Sequence, residues 1–448
     1  MLFKRKWLKK LQAWKDKKER KPLIIRGARQ VGKSTLVEQF ARSYRQYIPL
    51  NLELYADRRV FEDHDHIDNI VQSLLLKHNI SSGEDNLLIF IDEIQESPEA
   101  IGQLRYFYER YPQYHIIAAG SLLEFALSEI KAFPVGRVEY LSLHPLDFEE
   151  FLRAGEYENA LEAIDNIPVP EYAHQTLLEL FHEYASIGGM PEIIKTWLAN
   201  RNVADLPTVY DSLWQSFKDD VTKYAKSATE RKVIRHVMET APFELDRIKF
   251  EGFGKSNYRS REIGESLRSL EKAGIIELVY PTTQWQLPLE PNFRKRPRLQ
   301  FVDTGLLIHA MGLQASLIGI NDLNDVSRGQ IVHHLVSQQL IAQHPEPSFK
   351  PRFWVREKSN ANAEVDLVYS FQDKVIPIEI KSGSTGRLRS LHQFIDRCGH
   401  PYAIRIYGGK FSVEKYTTPA GTSYTLMNMP YYLAIRIPEY IEWFVRNY

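Results

Sequence analysis

The sequence predicts an α/β protein built around a parallel sheet, followed by a helical segment, a helix-rich unit ending in a β-ribbon, and a second α/β unit. Three observations carry that expectation. Short apolar runs alternate with helical patterns from residue 22 to about 145, a glycine-rich turn joins the first run to a helix, and a second series of strand-like runs begins near Phe353.

The chain of 448 residues is 44% hydrophobic, enough to bury a large core and to form two to four domains. Lys+Arg and Asp+Glu both number 57, so no global basic field draws the molecule to nucleic acid or to an acidic membrane, and any such contact is local. The single cysteine, Cys398, cannot form an internal disulfide and reads as a buried spectator in a reducing compartment. The basic start carries Trp7, Leu8 and Leu11 as the face of a first helix, and charges interrupt it too soon for an export signal. No run approaches the roughly twenty apolar residues of a membrane helix, so the expectation is a soluble, cytoplasmic protein with no membrane partner.

Five runs compose the first sheet: Pro22 to Arg26, Tyr47 to Leu54, Leu87 to Ile91, His115 to Ala119 and Val138 to Leu143. They define a first domain over 1–146. Residues 147–225 read as helical, with Phe148, Phe151, Leu152, Leu177, Leu178 and Phe181 at helix-compatible spacings and a break at Gly188-Gly189-Met190-Pro191. Over 226–320, a helix from Arg231 to Thr240, a second ending at Gly274 and a following strand predict a winged helix. Residues 321–448 form the last unit, with a helix over Gly329 to Ala342 and strands at Phe353 to Arg356, Val365 to Tyr369, Val375 to Ile380 and Tyr402 to Ile406; the polar stretch Asn321 to Ser327 is the linker candidate.

The chemistry sits first in the loop Gly27-Ala28-Arg29-Gln30-Val31-Gly32-Lys33-Ser34-Thr35, which has strand before it and helix after it. Glycines let backbone N–H groups turn inward, and with the positive end of the next helix they cradle phosphate oxygens. Lys33 is placed to reach the β- and γ-phosphates of ATP, and the Ser34 hydroxyl to hold Mg²⁺. Fifty-nine residues after Lys33, an apolar strand ends in Asp92-Glu93, where Asp92 serves the Mg²⁺ shell and Glu93 polarises the attacking water. Ser121, delivered by the strand His115 to Ala119, is a candidate γ-phosphate sensor or a helix N-cap. Arg137 is a candidate for stabilising transition-state charge from its own or a neighbouring subunit.

The combination of Arg26-Gly27-Ala28-Arg29-Gln30-Val31-Gly32-Lys33-Ser34-Thr35, Phe90-Ile91-Asp92-Glu93-Ile94-Gln95, Ala119-Gly120-Ser121, Gly136-Arg137, Leu143 to Phe151, Gly188-Gly189-Met190-Pro191-Glu192 and Phe301-Val302-Asp303-Thr304-Gly305-Leu306 resembles an AAA+-type P-loop ATPase family of bacteria and archaea fused to a C-terminal domain of unassigned function. The resemblance spans most of the chain and implies a P-loop NTPase parallel sheet, a helical lid, a winged-helix segment and a tail related to the restriction-endonuclease fold. It also implies adenine over guanine.

In the last unit, Asp366 lies on one strand-like run and Glu379 and Lys381 on the next, two residues apart and therefore on one face. Such a set can hold Mg²⁺ and position a water against phosphate, and it resembles the Asp, Glu-x-Lys pattern of restriction-type nucleases. Related domains add a glutamate from the preceding helix, where this chain carries His333 and Gln339. Hard Mg²⁺ prefers oxygen, so this departure weighs against Mg²⁺-dependent cleavage. The stretch Phe293 to Arg298, near the proposed wing, is the candidate DNA contact, whereas His309 shows no metal-ligand spacing. The leading expectation is an ATPase that drives conformational change on ATP and Mg²⁺, with DNA as a candidate partner and homo-oligomerisation open. The alternatives are an ATP-gated nuclease and a nucleotide-binding interaction protein with negligible turnover.

Overall fold

The computed structural model describes residues 3–83, 85–127, 136–244, 246–314, 329–356, 363–381 and 388–448. Five strands, β1 (Leu23–Arg26), β2 (Gln46–Asn51), β3 (Leu87–Asp92), β4 (His115–Gly120) and β5 (Glu139–Ser142), form one parallel sheet in the order β2-β3-β4-β1-β5. Residues alternate between its faces, as a pleated strand requires. Leu88, Phe90, Ile117 and Ala119 pack with the helix Lys33–Ala41 and with Trp7, Leu11 and Trp14 of the first helix, while Leu87, Ile89, Ile91, Ile116 and Ala118 pack under the helices Ile67–Lys77 and Pro98–Arg110. Both faces are covered, which is why these strands read as near-continuous apolar runs. Because all five run the same way, β1, β3 and β4 end at one edge of the sheet, with β4 between the other two.

Residues 148–223 form the helices Phe148–Ala154, Glu158–Asp165, His174–Ile187, Pro191–Asn200 and Pro207–Lys223. The first begins in a capping box, in which Asp147 accepts from the Glu150 amide and Glu150 reaches back to the Asp147 amide. The same acids hold the N-terminal segment, through Arg5 to Glu150 at 2.9 Å and Lys6 to Asp147 at 2.6 Å. The helices Ala228–Thr240 and Ser260–Lys272 then lead into an antiparallel ribbon of β6 (Ile276–Val279) and β7 (Arg298–Phe301).

Asp303, fully buried, joins the two regions. It caps the helix Thr304–Ala310 through the Leu306 amide at 3.0 Å and accepts from the Gly189 amide at 2.6 Å. A Cβ on Gly188 would lie 2.2 Å from the Asp303 carboxylate, and one on Gly305 would lie 2.2 Å from the Ile187 carbonyl oxygen. The motifs Gly188-Gly189 and Asp303-Thr304-Gly305 are thus two sides of one close approach.

The last sheet is mixed: β8 (Arg352–Val355), β9 (Glu364–Phe371), β10 (Lys374–Ile380), β11 (Tyr402–Tyr407), β12 (Ser412–Thr417) and β13 (Ser423–Pro430) lie in the order β12-β13-β11-β10-β9-β8. Leu391, Phe394, Ile395 and the spectator Cys398 from the helix Arg389–Cys398 cover one face. The helix Gln330–Gln343 covers the other and is buried nearly all round, because the ribbon and the helical region pack on its far side. The largest apolar cluster therefore runs from Trp7 to Phe444, across all four expected domains. The expected 320/321 boundary and the linker Asn321 to Ser327 lie outside the described residues. No helix among the described residues is long and apolar enough to cross a membrane.

Candidate functional site

Gly27 follows β1 with φ +151°, and a Cβ there would sit 2.2 Å from the Leu143 carbonyl oxygen, so the chain turns where only glycine fits. Gly32, at φ +93°, is the N-cap of the helix Lys33–Ala41. Ala28 and Val31 bury their side chains in the core, leaving their backbone as the part a phosphate can meet. Lys33 is only 6% exposed; its ammonium folds back to donate to the carbonyls of Gly27 at 3.0 Å and Ala28 at 2.9 Å. Burial lowers it to about 8, against the opposing pull of Glu93 and Asp92.

The Ser34 hydroxyl donates to Asp92 Oδ2 at 2.6 Å, across the gap between the helix start and the end of β3. Burial raises Asp92 while this hydrogen bond opposes the shift. A hydroxyl and a carboxylate facing one another are hard oxygen donors, so this pair fits Mg²⁺. Glu93 has φ +49°, uncommon for a residue with a side chain, and its carboxylate accepts from Gln95 Nε2 at 2.7 Å. Ser121 is buried just after β4, which lies between β1, the strand that leads into the phosphate loop, and β3, the strand that ends in Asp92. Gly120 before it lets the Gln95 side chain approach closely, since a Cβ there would lie 2.4 Å from Gln95 Oε1.

Arg137 is not brought to this site. It precedes β5, whose Glu139 pairs with Leu23 at the start of β1, so it lies at the opposite edge of the sheet, separated by at least about 13 Å of strand rise. It pairs instead with Glu109 at 3.0 Å, half-exposed. The same-chain role expected for Arg137 is therefore corrected: its guanidinium is an ion-pair partner of Glu109, away from the phosphate loop of its own chain.

In the tail, the β9–β10 register faces Leu367 with Ile378 and so sets Asp366 across from Glu379. Lys381 Nζ lies 2.6 Å from Glu379 Oε1, and Asp366 Oδ2 accepts from the Ile380 amide at 2.9 Å. The three expected residues do come together. The cluster also holds cations of its own: Arg298 from β7 pairs with Glu364, lies 3.6 Å from Asp366 Oδ1 and donates to His333 Nε2 at 2.5 Å. Burial and the Arg298 charge lower His333 to about 4, so the imidazole is neutral and accepts. Burial and Asp366 push Glu379 upward, and its Oε2 has no hydrogen-bond partner. Gln339 accepts from the Phe148 amide at 2.9 Å and donates to the Tyr184 hydroxyl at 3.0 Å, so it serves packing against the helical region. No group of three or more His, Cys, Asp or Glu side chains among the described residues is arranged for a metal ion. This donor set does not fit Mg²⁺, because Arg298 and Lys381 already neutralise it.

Residues 19–152 match a family described as an AAA domain, and residues 178–317 and 328–432 match two domains of unknown function, DUF8612 and DUF4143. An uncharacterized protein of Haemophilus influenzae is 22% identical over 324 residues, covering 70% of this chain and 74% of that protein. Among solved structures, the Walker-type ATPase PABY2304 of Pyrococcus abyssi aligns over 69% of this chain and 96% of that chain, at 17% identity and a TM-score of 0.45. The Aeropyrum pernix ORC1 protein, solved in complex with DNA, aligns over 69% of this chain and 91% of that chain, at 13% identity and a TM-score of 0.30. With Lys33, Ser34 and Asp92 assembled at one sheet edge, the AAA match decides the class of the first unit. It is a P-loop ATPase-type, nucleotide-binding domain.

Sequence reasoning missed two residues of this P-loop domain's site. Gln95 carried a signal, standing three positions after Asp92 in a motif already singled out. Asp220 carried none: it sits on the helix Pro207–Lys223 and pairs with Arg29 at 2.5 Å. The basic stretch near the ribbon divides, with Phe293, Arg294 and Arg296 exposed and Arg298 turned into the tail.

Proposed function

We propose that this chain binds ATP with Mg²⁺ in the P-loop and hydrolyses it to move its helical lid and a winged-helix-like unit against a tail related to the restriction-endonuclease fold. The observation that supports it best is the 2.6 Å contact of Ser34 with Asp92 beside the buried Lys33. The amides of Gly27 to Lys33 and the helix N-terminus hold the phosphates, and Lys33 exchanges its two carbonyl partners for the β- and γ-phosphate oxygens. Ser34 and Asp92 would hold Mg²⁺, which neutralises charge on the β- and γ-phosphates. Glu93, released from Gln95, accepts a proton from the attacking water as its oxygen bonds to the γ-phosphorus and the bond to the β-bridging oxygen breaks, leaving ADP and phosphate. Ser121 hydrogen-bonds the γ-phosphate from its place directly after β4.

Arg137 acts on a neighbouring subunit in a homo-oligomer, and Phe293, Arg294 and Arg296 contact DNA. A cytoplasmic setting follows from the same reading. Phosphate release with and without DNA, with mass measured in parallel, tests it. Wild-type turnover is expected to fall at least about a hundredfold in Glu93→Gln while ATP binding persists. No phosphate release above a Lys33→Ala control would leave only a nucleotide-binding interaction protein. The nuclease alternative through Asp366, Glu379 and Lys381 is disfavoured by Arg298; DNA cleavage lost in Asp366→Ala would restore it.

A further inference from the structure

The end of the helix Pro207–Lys223 touches three segments of the nucleotide site at once. Asp220, 9% exposed, pairs with Arg29 of the phosphate loop at 2.5 Å. Lys223 pairs with Glu96, three residues beyond Glu93, at 3.2 Å. Tyr224 stacks on Phe125, four residues beyond Ser121, with ring centroids 4.7 Å apart. Three segments that follow three different strands thus meet one helical turn, and after Ser227 the chain enters the helix Ala228–Thr240.

Arg29 is a cation inside a loop shaped for phosphate, and a lid carboxylate holds it. A triphosphate brings several negative charges to the same loop, and a guanidinium binds phosphate as well as carboxylate, through the same fork of donors. We infer that Asp220 is a positioning residue of the ATP site: it withholds Arg29 until nucleotide phosphates displace it, and that exchange releases the end of the helix Pro207–Lys223. The inference rests on the ATP reading of the loop and adds the route by which nucleotide reaches the helix–helix–ribbon unit. Its energetic source is the differential interaction of Arg29 with Asp220 and with phosphate in the two states. The Lys223 and Tyr224 contacts lie on the same turn, so loosening Asp220 weakens all three.

The test is a double-mutant cycle on the full chain, with ATP dissociation constants measured by calorimetry in wild type, Asp220→Asn, Arg29→Gln and the double variant. Asp220→Asn is expected to tighten ATP binding by roughly tenfold, the range typical of coupled sites. That gain is expected to vanish in the Arg29→Gln background. A gain of the same size without Arg29 would mean general charge repulsion and would overturn the exchange, as would no gain in a folded Asp220→Asn. Hydrogen exchange on wild type gives a second readout independent of any variant: amides of residues 216–224 exchange faster with Mg-ATP, and slower or unchanged exchange overturns the inference. If wild type binds no ATP, the P-loop reading itself fails, an outcome distinct from wild-type binding with an inert Asp220.

Discussion

Lys33→Met is expected to raise the thermal stability of the nucleotide-free protein while removing its response to ATP. Burial lowers the Lys33 ammonium from 10.5 to about 8, so near neutral pH holding it charged costs about 3 kcal/mol relative to the unfolded chain. The sign follows from the depression: the penalty is absent above the unfolded value and is complete once pH falls below the folded one. Methionine has nearly the same length and no charge. Its introduction leaves the part-buried Gly27 carbonyl and the buried Ala28 carbonyl without their lysine donor, at roughly 2 kcal/mol for the pair. The net gain is about 1 kcal/mol, or roughly one degree in melting midpoint for 448 residues. Against this, ATP loses an ammonium contact worth roughly 3 kcal/mol, more than a hundredfold in affinity. Melting curves by near-UV circular dichroism, with and without saturating Mg-ATP, should therefore cross: Lys33→Met melts higher alone, and wild type melts higher with nucleotide. A variant that melts lower alone, or that keeps the wild-type ATP shift, refutes the reasoning.

Three further perturbations test other parts of the molecule. Asp303→Ala removes the Leu306 cap and strands the buried Gly189 amide, for a loss of roughly 2–5 kcal/mol in chemical denaturation; a loss under about 1 kcal/mol would deny Asp303 its junction role. Arg298→Met leaves Glu364, Asp366 and Glu379 facing one another with, among the described residues, Arg247 and Lys381 as counter-charges, so the protein should lose about 3–5 kcal/mol and recover part of it with Mn²⁺. An equal Mn²⁺ shift in wild type would argue that Arg298 does not occupy the cation position. Glu277 is raised by burial to about 7, and its Oε2 lacks a hydrogen-bond partner. The fold thus favours its neutral form, an advantage complete below about 4.5 and lost as pH rises through 7. Glu277→Gln should raise the melting midpoint at pH 8, by up to roughly 3 kcal/mol of stability, and do nothing near pH 4.5; a pH-independent difference would contradict this.

The first sheet was legible because its inner strands β1, β3 and β4 are buried on both faces and so write runs of Leu, Ile and Ala into the chain. The expected and observed strands differ by at most three residues at an end. The strand Ser412–Thr417 went unseen for the opposite reason: it is an edge strand whose Glu414 and Lys415 face solvent, so no apolar run marks it. The helix Gln330–Gln343 matches the expected span Gly329 to Ala342, but its lack of a polar face became meaningful only once both of its neighbours were in place.

For the candidate site, the sequence by itself determined the phosphate loop, the acids after β3 and the serine after β4. Each is a contiguous motif whose geometry follows from a local turn or a strand end. Only the tertiary structure decided which side chains share space. It set Asp220 on Arg29 across 191 positions, turned Arg298 into the tail carboxylates across 66, and removed Arg137 to the far edge of its own sheet. Local pattern reports which face of an element is buried; ion pairs between distant segments depend on how those faces pack, and that packing leaves no periodic trace in the chain.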